Sequence, residues 1–404
     1  MNDMQSNVLV RRLEGSDFNL RLSTEMAVDA FNEDSLFCLP VDARRIFEKH
    51  GANTKVILLG ATPFSRTFYS EAHDQVDIVA VVDDFRASSG DTFEGLPIIT
   101  SKEMLSRSTV GDVVAVSGCR YDRSRRFFKN LSRSNGVPHL NFEQALRLLN
   151  IVSARDHRIE DWGHTIANNL RNFHELADRL VDDYSRFTLY SVLMSQVTCN
   201  PEWSLHAARP YCTLYFRSGL WAPNLHERFV DCGASIGEST TALIDATNGE
   251  FDRIWMIEPD RYNVEALTKF VRYHEDTSLS ERIHLHACAV GERDEDLVFA
   301  HQGGHGGQVG TASVGDTVPV RRLDGLLDAE PTLIKMDVEG AELSALKGAK
   351  EFITSSKPKL AISAYHRSTD LLDIVDFVLA IRPDYTVGLR HHTEERWDTC
   401  LYFV

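Results

Sequence analysis

Arg228-Phe-Val-Asp-Cys-Gly-Ala-Ser-Ile-Gly237-Glu is the stretch whose reading decides the fold. Its first five residues form a short, largely apolar run, as a buried parallel strand requires. Gly233 and Gly237 then let the backbone turn tightly and approach a ligand where a side chain would collide. Glu258 comes 21 residues after Gly237, at the end of the next strand candidate, Arg253-Ile-Trp-Met-Ile-Glu258. An acid at that place accepts hydrogen bonds from both ribose hydroxyls of a nucleoside. Outward from this pair, strands are expected at Ile283–Ala289, Leu333–Asp337 and Lys359–Ala364. Helical patterns separate most of them, as at Arg261–Arg272 and Glu342–Phe352. Tyr385–Leu389 and Thr399–Val404 follow each other without a helix between, which predicts an antiparallel hairpin at the edge of the parallel sheet.

The segments DCGASIGEST (231–240), MIEPD (256–260) and LIKMDVEGAELSALKGA (333–349) resemble the FkbM-type methyltransferase family. Arg322-Leu-Asp324 and Ala364-Tyr-His366 extend the resemblance, which covers roughly Tyr215 to Val404. Cys232 is a modest departure, since a small residue or valine often stands there. The resemblance implies a class I, Rossmann-like methyltransferase sheet with a terminal antiparallel hairpin. It implies S-adenosyl-L-methionine as cofactor and, for most members, methylation of sugar or polyketide hydroxyls. Carried onto this chain, it makes Asp231, Gly233, Ala234, Gly237, Glu258 and Pro259 cofactor contacts, with Asp231 holding the methionine amino end through water or directly. It places Cys288 and Ala289 beside the adenine. The competing structural role for Asp231 is a helix N-terminal cap, worth about 1 kcal/mol.

Methyl transfer from a sulfonium to a hydroxyl needs an in-line oxygen and removal of the hydroxyl proton. A carboxylate or imidazole within hydrogen-bond reach can take that proton. Asp337, Glu339 and His366 are the candidates, all expected at the carboxyl edge of the sheet. Glu342 is one turn further on and is read as stabilising its helix N-terminus. Asp337 and Glu339 are also potential oxygen ligands for a divalent cation. His284, His286, His301 and His305 are irregularly spaced for a zinc site, and no metal is assigned. The glycine-rich run 302–308 reads as a lid over the substrate.

Before this domain, Lys55–Gly60, Val76–Val82 and Asp112–Ser117 are short strands separated by helical segments at Phe64–Ala72 and Ser101–Ser106. They predict a smaller Rossmann-like α/β domain over residues 46–145, preceded by a polar arm at 1–45. Gly60 lacks the second and third glycines of the dinucleotide fingerprint, although Asp83 follows at a ribose-binding distance. The stretch 81–98 resembles nucleotide-binding-like domains attached to sugar-modifying transferases; docking or homo-oligomer formation is the alternative use. Leu170, Phe173, Leu176, Ala177, Leu180 and Val181 share one helix face and predict a helical bridge over 146–225, ahead of the methyltransferase domain at 226–404.

The 404 residues carry a formal charge of −16, which argues against a nucleic-acid partner because a phosphate-backbone binder needs a basic footprint. The basic run Arg125–Arg133 reads as a solvated helix face. Seven scattered cysteines without a Cys-x-x-Cys pair read as reduced thiols, so the cytoplasm is the expected compartment. No run of 18 apolar residues predicts stable membrane insertion. The sequence thus predicts methyl transfer to a small-molecule or glycan acceptor. The rival is a non-catalytic protein with a degenerate transferase fold that binds a nucleotide sugar or a partner.

Overall fold

The computed structural model describes residues 19–107, 112–151, 162–273, 280–301, 308–309, 316–394 and 396–404. The chain divides into two compact units, Met1–Leu170 with Tyr190–His206, and Arg171–Leu189 with Ala207–Val404. Both are α/β.

The first unit holds strands β1 (Lys55–Leu59), β2 (Asp77–Val82), β3 (Thr92–Phe93), β4 (Leu96–Ile99), β5 (Val113–Ser117) and β6 (His139–Asn141). They lie in the order β3-β4-β2-β1-β5-β6, parallel except for the short β3–β4 pair. Alternate residues of β1 feed opposite cores: Val56 and Leu58 join one cluster, Ile57 and Leu59 the other. That is why the strand reads as an unbroken apolar run rather than an alternation. The expected polar arm is corrected in its described part, where Leu20–Glu33 and Val41–His50 are helices. Ala27, Val28 and Phe31 form a buried stripe on the first, and Ala43 and Ile46 join the core from the second. Their amphipathic spacing sits inside a mostly polar composition, which masked it.

The stretch expected to be a separate bridge forms helices Trp162–Arg179, Asp183–Thr198 and Glu202–Ala207, and is shared out between the two units. Phe173, Leu176, Ala177 and Leu180 are buried as their spacing predicts, whereas Val181 lies past the helix end and is exposed.

The second unit is built on β7 (Arg228–Cys232), β8 (Arg253–Ile257), β9 (Ile283–His286), β10 (Ala289–Val290), β11 (Glu295–Ala300), β12 (Gln308–Val309), β13 (Asp316–Arg321), β14 (Leu333–Met336), β15 (Lys359–Ser363), β16 (Val387–His391) and β17 (Thr399–Phe403). Seven of them make one sheet in the order β16-β17-β15-β14-β7-β8-β9. The expected terminal hairpin is there, with β17 running antiparallel between β15 and the edge strand β16. A second sheet, β10-β13-β11-β12, was not foreseen from the sequence. The helix expected over 342–352 is two helices, Glu342–Lys347 and Lys350–Ser356. Gly348 stands at the break, where a Cβ would lie 2.0 Å from the Gly291 carbonyl oxygen.

Strand order reverses beside β7, which has β8 on one side and β14 on the other. In open α/β sheets that switch point opens a crevice at the carboxyl ends of the strands. Asp231 and Lys335 are cross-strand partners there, both buried, with Lys335 Nζ 3.1 Å from Asp231 Oδ1. Burial works against the ammonium, but Asp231 and Asp337 raise its pKa above the usual value. Lys335 also donates to the carbonyls of Gly233 at 2.7 Å and Cys232 at 3.2 Å. Asp231 Oδ2 accepts from the Ser239 and Thr240 hydroxyls at 2.7 and 2.8 Å, tying in the helix Glu238–Ala246.

A second ion pair anchors β16. Arg390, buried, donates to Asp182 at 2.7 and 3.2 Å and to the Ser185 hydroxyl at 2.8 Å. Partial burial would raise the Asp182 carboxyl, but hydrogen bonds from Arg390 and Ser185 outweigh it and lower the pKa to about 2.

Two predictions follow from these pairs. The Asp182 pKa is lower folded than unfolded, so its stabilisation is present above about pH 4 and is lost as pH falls toward 2. Melting curves across that window should show a weaker pH dependence for Asp182→Asn than for the parent; equal slopes would reject the linkage. Lys335→Met strands a buried carboxylate and should cost about 3–5 kcal/mol in urea unfolding. Lys335→Met with Asp231→Asn should recover part of that loss, and strictly additive losses would deny the pair.

Candidate active site

The loop after β7 curls through three left-handed residues, Gly233 at φ +76°, Ser235 at +49° and Gly237 at +100°. Only Gly233 must be glycine for space: a Cβ there would stand 1.8 Å from the Asp337 carbonyl oxygen. The turn after β7 therefore lies directly on the turn after β14. Ala234 is buried in the same turn, whereas Ile236 is exposed. Ser235 Oγ is buried and makes no hydrogen bond. Such an atom is expected to meet a partner, and here it lies in the turn that the sequence assigns to a nucleoside.

Glu258 stands just past the end of β8, with Pro259 following. Its Oε2 accepts from Ser235 N at 2.9 Å, and its Oε1 from Asp260 N at 2.9 Å and Asn263 Nδ2 at 3.4 Å. Burial raises its pKa against these donors. The carboxylate is fixed across the sheet edge, from the β8 end to the β7 turn. Glu258 N donates to His286 O, and Cys288 N to the same carbonyl, so the next residues along the edge are Cys288 and Ala289, both buried. Burial pushes the Cys288 thiol up to about 11, which keeps it neutral and inert.

Asp231 lies in β7, just before the turn. It is fully buried, and its carboxylate is taken up by Lys335, Ser239 and Thr240. In this structure the side chain shapes the turn and the start of the helix that follows.

Asp337, Glu339 and His366 do come together. Asp337 Oδ2 accepts from the Tyr215 hydroxyl and Oδ1 from the Tyr365 hydroxyl, each at 3.0 Å. Burial would raise the Asp337 pKa, but His366, Lys335 and the two phenols lower it below the usual carboxylate range. Burial and the same carboxylate hold both phenols well above their usual value, so they remain donors. His366 Nε2 lies 3.6 Å from Asp337 Oδ1 and 3.4 Å from Glu339 Oε2, while Nδ1 lies 2.9 Å from Glu342 Oε1. Burial opposes charge on the imidazole, yet Glu342 and Glu339 raise its pKa well above 6.5. A protonated His366 is a donor, which leaves Asp337 as the better proton acceptor of the two. Glu339 takes a left-handed backbone, φ +54°, followed by Gly340 at +92°. This presents the Glu339 side chain to the cluster from a tight turn.

The site also contains residues that sequence reasoning left out. Glu342 was read as a helix-terminal charge, but it is buried, with Oε1 accepting from Val338 N at 2.8 Å and Gly340 N at 3.4 Å. It organises the turn that carries Asp337 and Glu339. Tyr365 lay inside the quoted Ala364-Tyr-His366 and Lys335 inside LIKMD, so the signal was present. Tyr215 lies 122 residues from Asp337 and gave none. Arg322-Leu-Asp324 is structural, since Asp324 accepts from Glu351 N and Phe352 N at the start of a helix. Of the four weighed histidines, His301 sits between Asp260 and Asp316, and His305 lies outside the described residues, as does most of the expected lid, 302–307.

The Methyltransferase FkbM domain family matches residues 231–385. A crystal structure of a methyltransferase FkbM from Methylobacillus flagellatus KT is 46% identical and superposes with a TM-score of 0.88, covering 95% of this chain and 99% of that one. A putative rRNA-methylase from Clostridium thermocellum is 10% identical at a TM-score of 0.29, covering 51% of this chain and 91% of that one. An rRNA methylase from Streptococcus thermophilus is 12% identical at 0.30, covering 45% and 86%. Scores that low carry no argument. No curated protein matches this chain. Near-complete mutual coverage at 46% identity, over both units, places the chain in the FkbM methyltransferase family.

Proposed function

We propose that this methyltransferase moves a methyl group from S-adenosylmethionine to a hydroxyl of a sugar-like or other small hydroxylated acceptor. The observation that carries the reading is the contact of the two turns at the switch point. The nucleoside-type turn, Gly233–Gly237, rests on the carbonyl of Asp337, whose carboxylate is held by Tyr215 and Tyr365. A cofactor seated on the first turn has the acidic cluster as its neighbour.

The residues present fit that cofactor. Glu258 offers a fixed carboxylate for ribose hydroxyls, and Ser235 Oγ is a buried hydroxyl still without a partner. Gly233, Ala234, Gly237 and Pro259 supply close backbone, and Cys288 and Ala289 an apolar wall for the base. When bound, S-adenosylmethionine supplies an electrophilic methyl carried by a sulfonium. Carboxylates near that position favour its positive charge. Asp337 then orients the acceptor hydroxyl and accepts its proton, and Tyr215 and Tyr365 keep the carboxylate in place. Orientation of this kind lowers the barrier alongside any proton transfer.

Two measurements test the reading. Calorimetric titration should show saturable S-adenosylmethionine binding, weakened at least about tenfold in Glu258→Ala; no binding at millimolar cofactor would favour a non-catalytic protein instead. In a labelled-methyl screen against hydroxylated glycans and metabolites, Asp337→Asn should lower turnover about 100-fold or more. Its cofactor affinity should change by less than about threefold, and matched losses in both would move Asp337 to a cofactor role.

A further inference from the structure

One oxygen from Asp337, one from Glu342 and one ring nitrogen from His366 lie within 4.8 Å of one another. Glu342 and His366 are at least nine-tenths buried, at 0% and 5% exposed. Glu342 Oε2 makes no hydrogen bond, and the two ring nitrogens of His366 have only the ion-pair contacts to Glu342 Oε1, Glu339 Oε2 and Asp337 Oδ1. Buried polar atoms without partners are rare, and a bound ion is among the ordinary explanations. Glu339 Oε2, 3.4 Å from His366 Nε2, brings a third carboxylate to the group.

We propose that Asp337, Glu342 and His366 bind a divalent first-row transition cation, which displaces the imidazole proton to solvent as it binds. Ligand atoms held about 2.1 Å from one ion stand about 3–4 Å apart. The cluster therefore closes on an ion with side-chain shifts of about an ångström or less. An imidazole among carboxylates selects manganese, iron or zinc over magnesium, which prefers an all-oxygen shell. The backbone already holds the ligands in place. Val338 N and Gly340 N fix Glu342 Oε1, and Arg367 donates to Gly340 O at 2.6 Å. Tyr215 and Tyr365 fix Asp337, giving the outer support that metal sites require. The use of the cation, to hold the acceptor oxygen and lower its proton affinity, rests on the methyl-transfer reading. Its binding does not.

The test uses the full chain, stripped with chelator and titrated with manganese(II), with free ion read by electron paramagnetic resonance. A single saturable site is expected, weakened at least about tenfold in Glu342→Gln and in His366→Gln, with zinc(II) displacing manganese. Circular dichroism checks that each variant folds. Should Glu342→Gln fail to fold, His366→Gln and Asp337→Asn carry the comparison. No saturable binding at millimolar manganese, or unchanged affinity in the folded variants, overturns the site. S-adenosylmethionine is titrated separately on the stripped protein. Manganese binding without cofactor binding would sink the methyl-transfer reading and keep the ion site, and the reverse would do the opposite.

Discussion

The buried pair Asp231–Lys335 is the constraint on which the functional half of this chain depends. Parallel strands β7 and β14 offer only backbone to each other, and the switch point between them is where a crevice has to stay open. The pair sets a charge-assisted bond across that junction, and Lys335 goes on to bind two carbonyls of the turn. Asp231 spends its other oxygen on Ser239 and Thr240, fixing the helix that starts where the turn ends. A buried ion pair gives little net stability over an apolar pair. Its worth here lies in register: strand, turn and helix are set with respect to one another by one ammonium and one carboxylate. The Gly233 backbone can then lie on Asp337 without displacing it.

Electrostatics continue this arrangement outward. Lys335 stabilises Asp337 as well as Asp231, so one ammonium serves both the scaffold and the acidic cluster. Beyond it stand Glu339, Glu342 and Asp370, with His366 among them. Asp370 is driven by burial and by Glu342 up to about 7, so it is readily protonated near neutrality. The cluster thus concentrates carboxylates in low-dielectric surroundings and sheds part of the repulsion by protonating its periphery. What remains favours a cation at the junction of the two turns, and a sulfonium methyl donor and a divalent ion both meet that description.

The sequence showed the parts of this design that are local. Glycines at fixed spacing, Glu258 at a strand end and the LIKMDVEGAE block each announce themselves within ten or twenty residues, because strand, turn and helix follow one another directly. The parts that depend on chain return were hidden. Tyr215 reaches Asp337 from a segment before β7, and nothing around it differs from an ordinary packed aromatic. The β10–β13 sheet is made of two-residue and six-residue strands, too short for periodicity to separate from loops. The partners of Asp231 were hidden for a different reason. Spacing tells where an acid falls in a motif but not which of its neighbours, Lys335 included, will take up its oxygens.

In the first unit the β1 turn also has the outline of a nucleotide site. There the turn is closed by its own side chains. Thr62 Oγ1 donates to Gly118 O at 2.6 Å and accepts from Ser65 N, while Ser65 Oγ donates to Gly60 O at 2.5 Å. A Cβ on Gly118 would meet Ser65 Oγ at 2.1 Å, so the neighbouring turn fills the space over the helix start. Asp83 Oδ1 accepts from Phe85 N and Arg86 N within its own loop, and its Oδ2 from Ala61 N of the β1 turn at 3.4 Å. A phosphate at a helix N-terminus needs open backbone donors, and here Pro63 at the first helical position offers none while Thr62 takes up Ser65 N. The two units share a sheet plan, but among the described residues only the second leaves a buried hydroxyl of its glycine turn, Ser235 Oγ, without a hydrogen bond. On that ground we place the proposed chemistry in the second unit, while in the first the turn's own side chains take up groups that a phosphate would use.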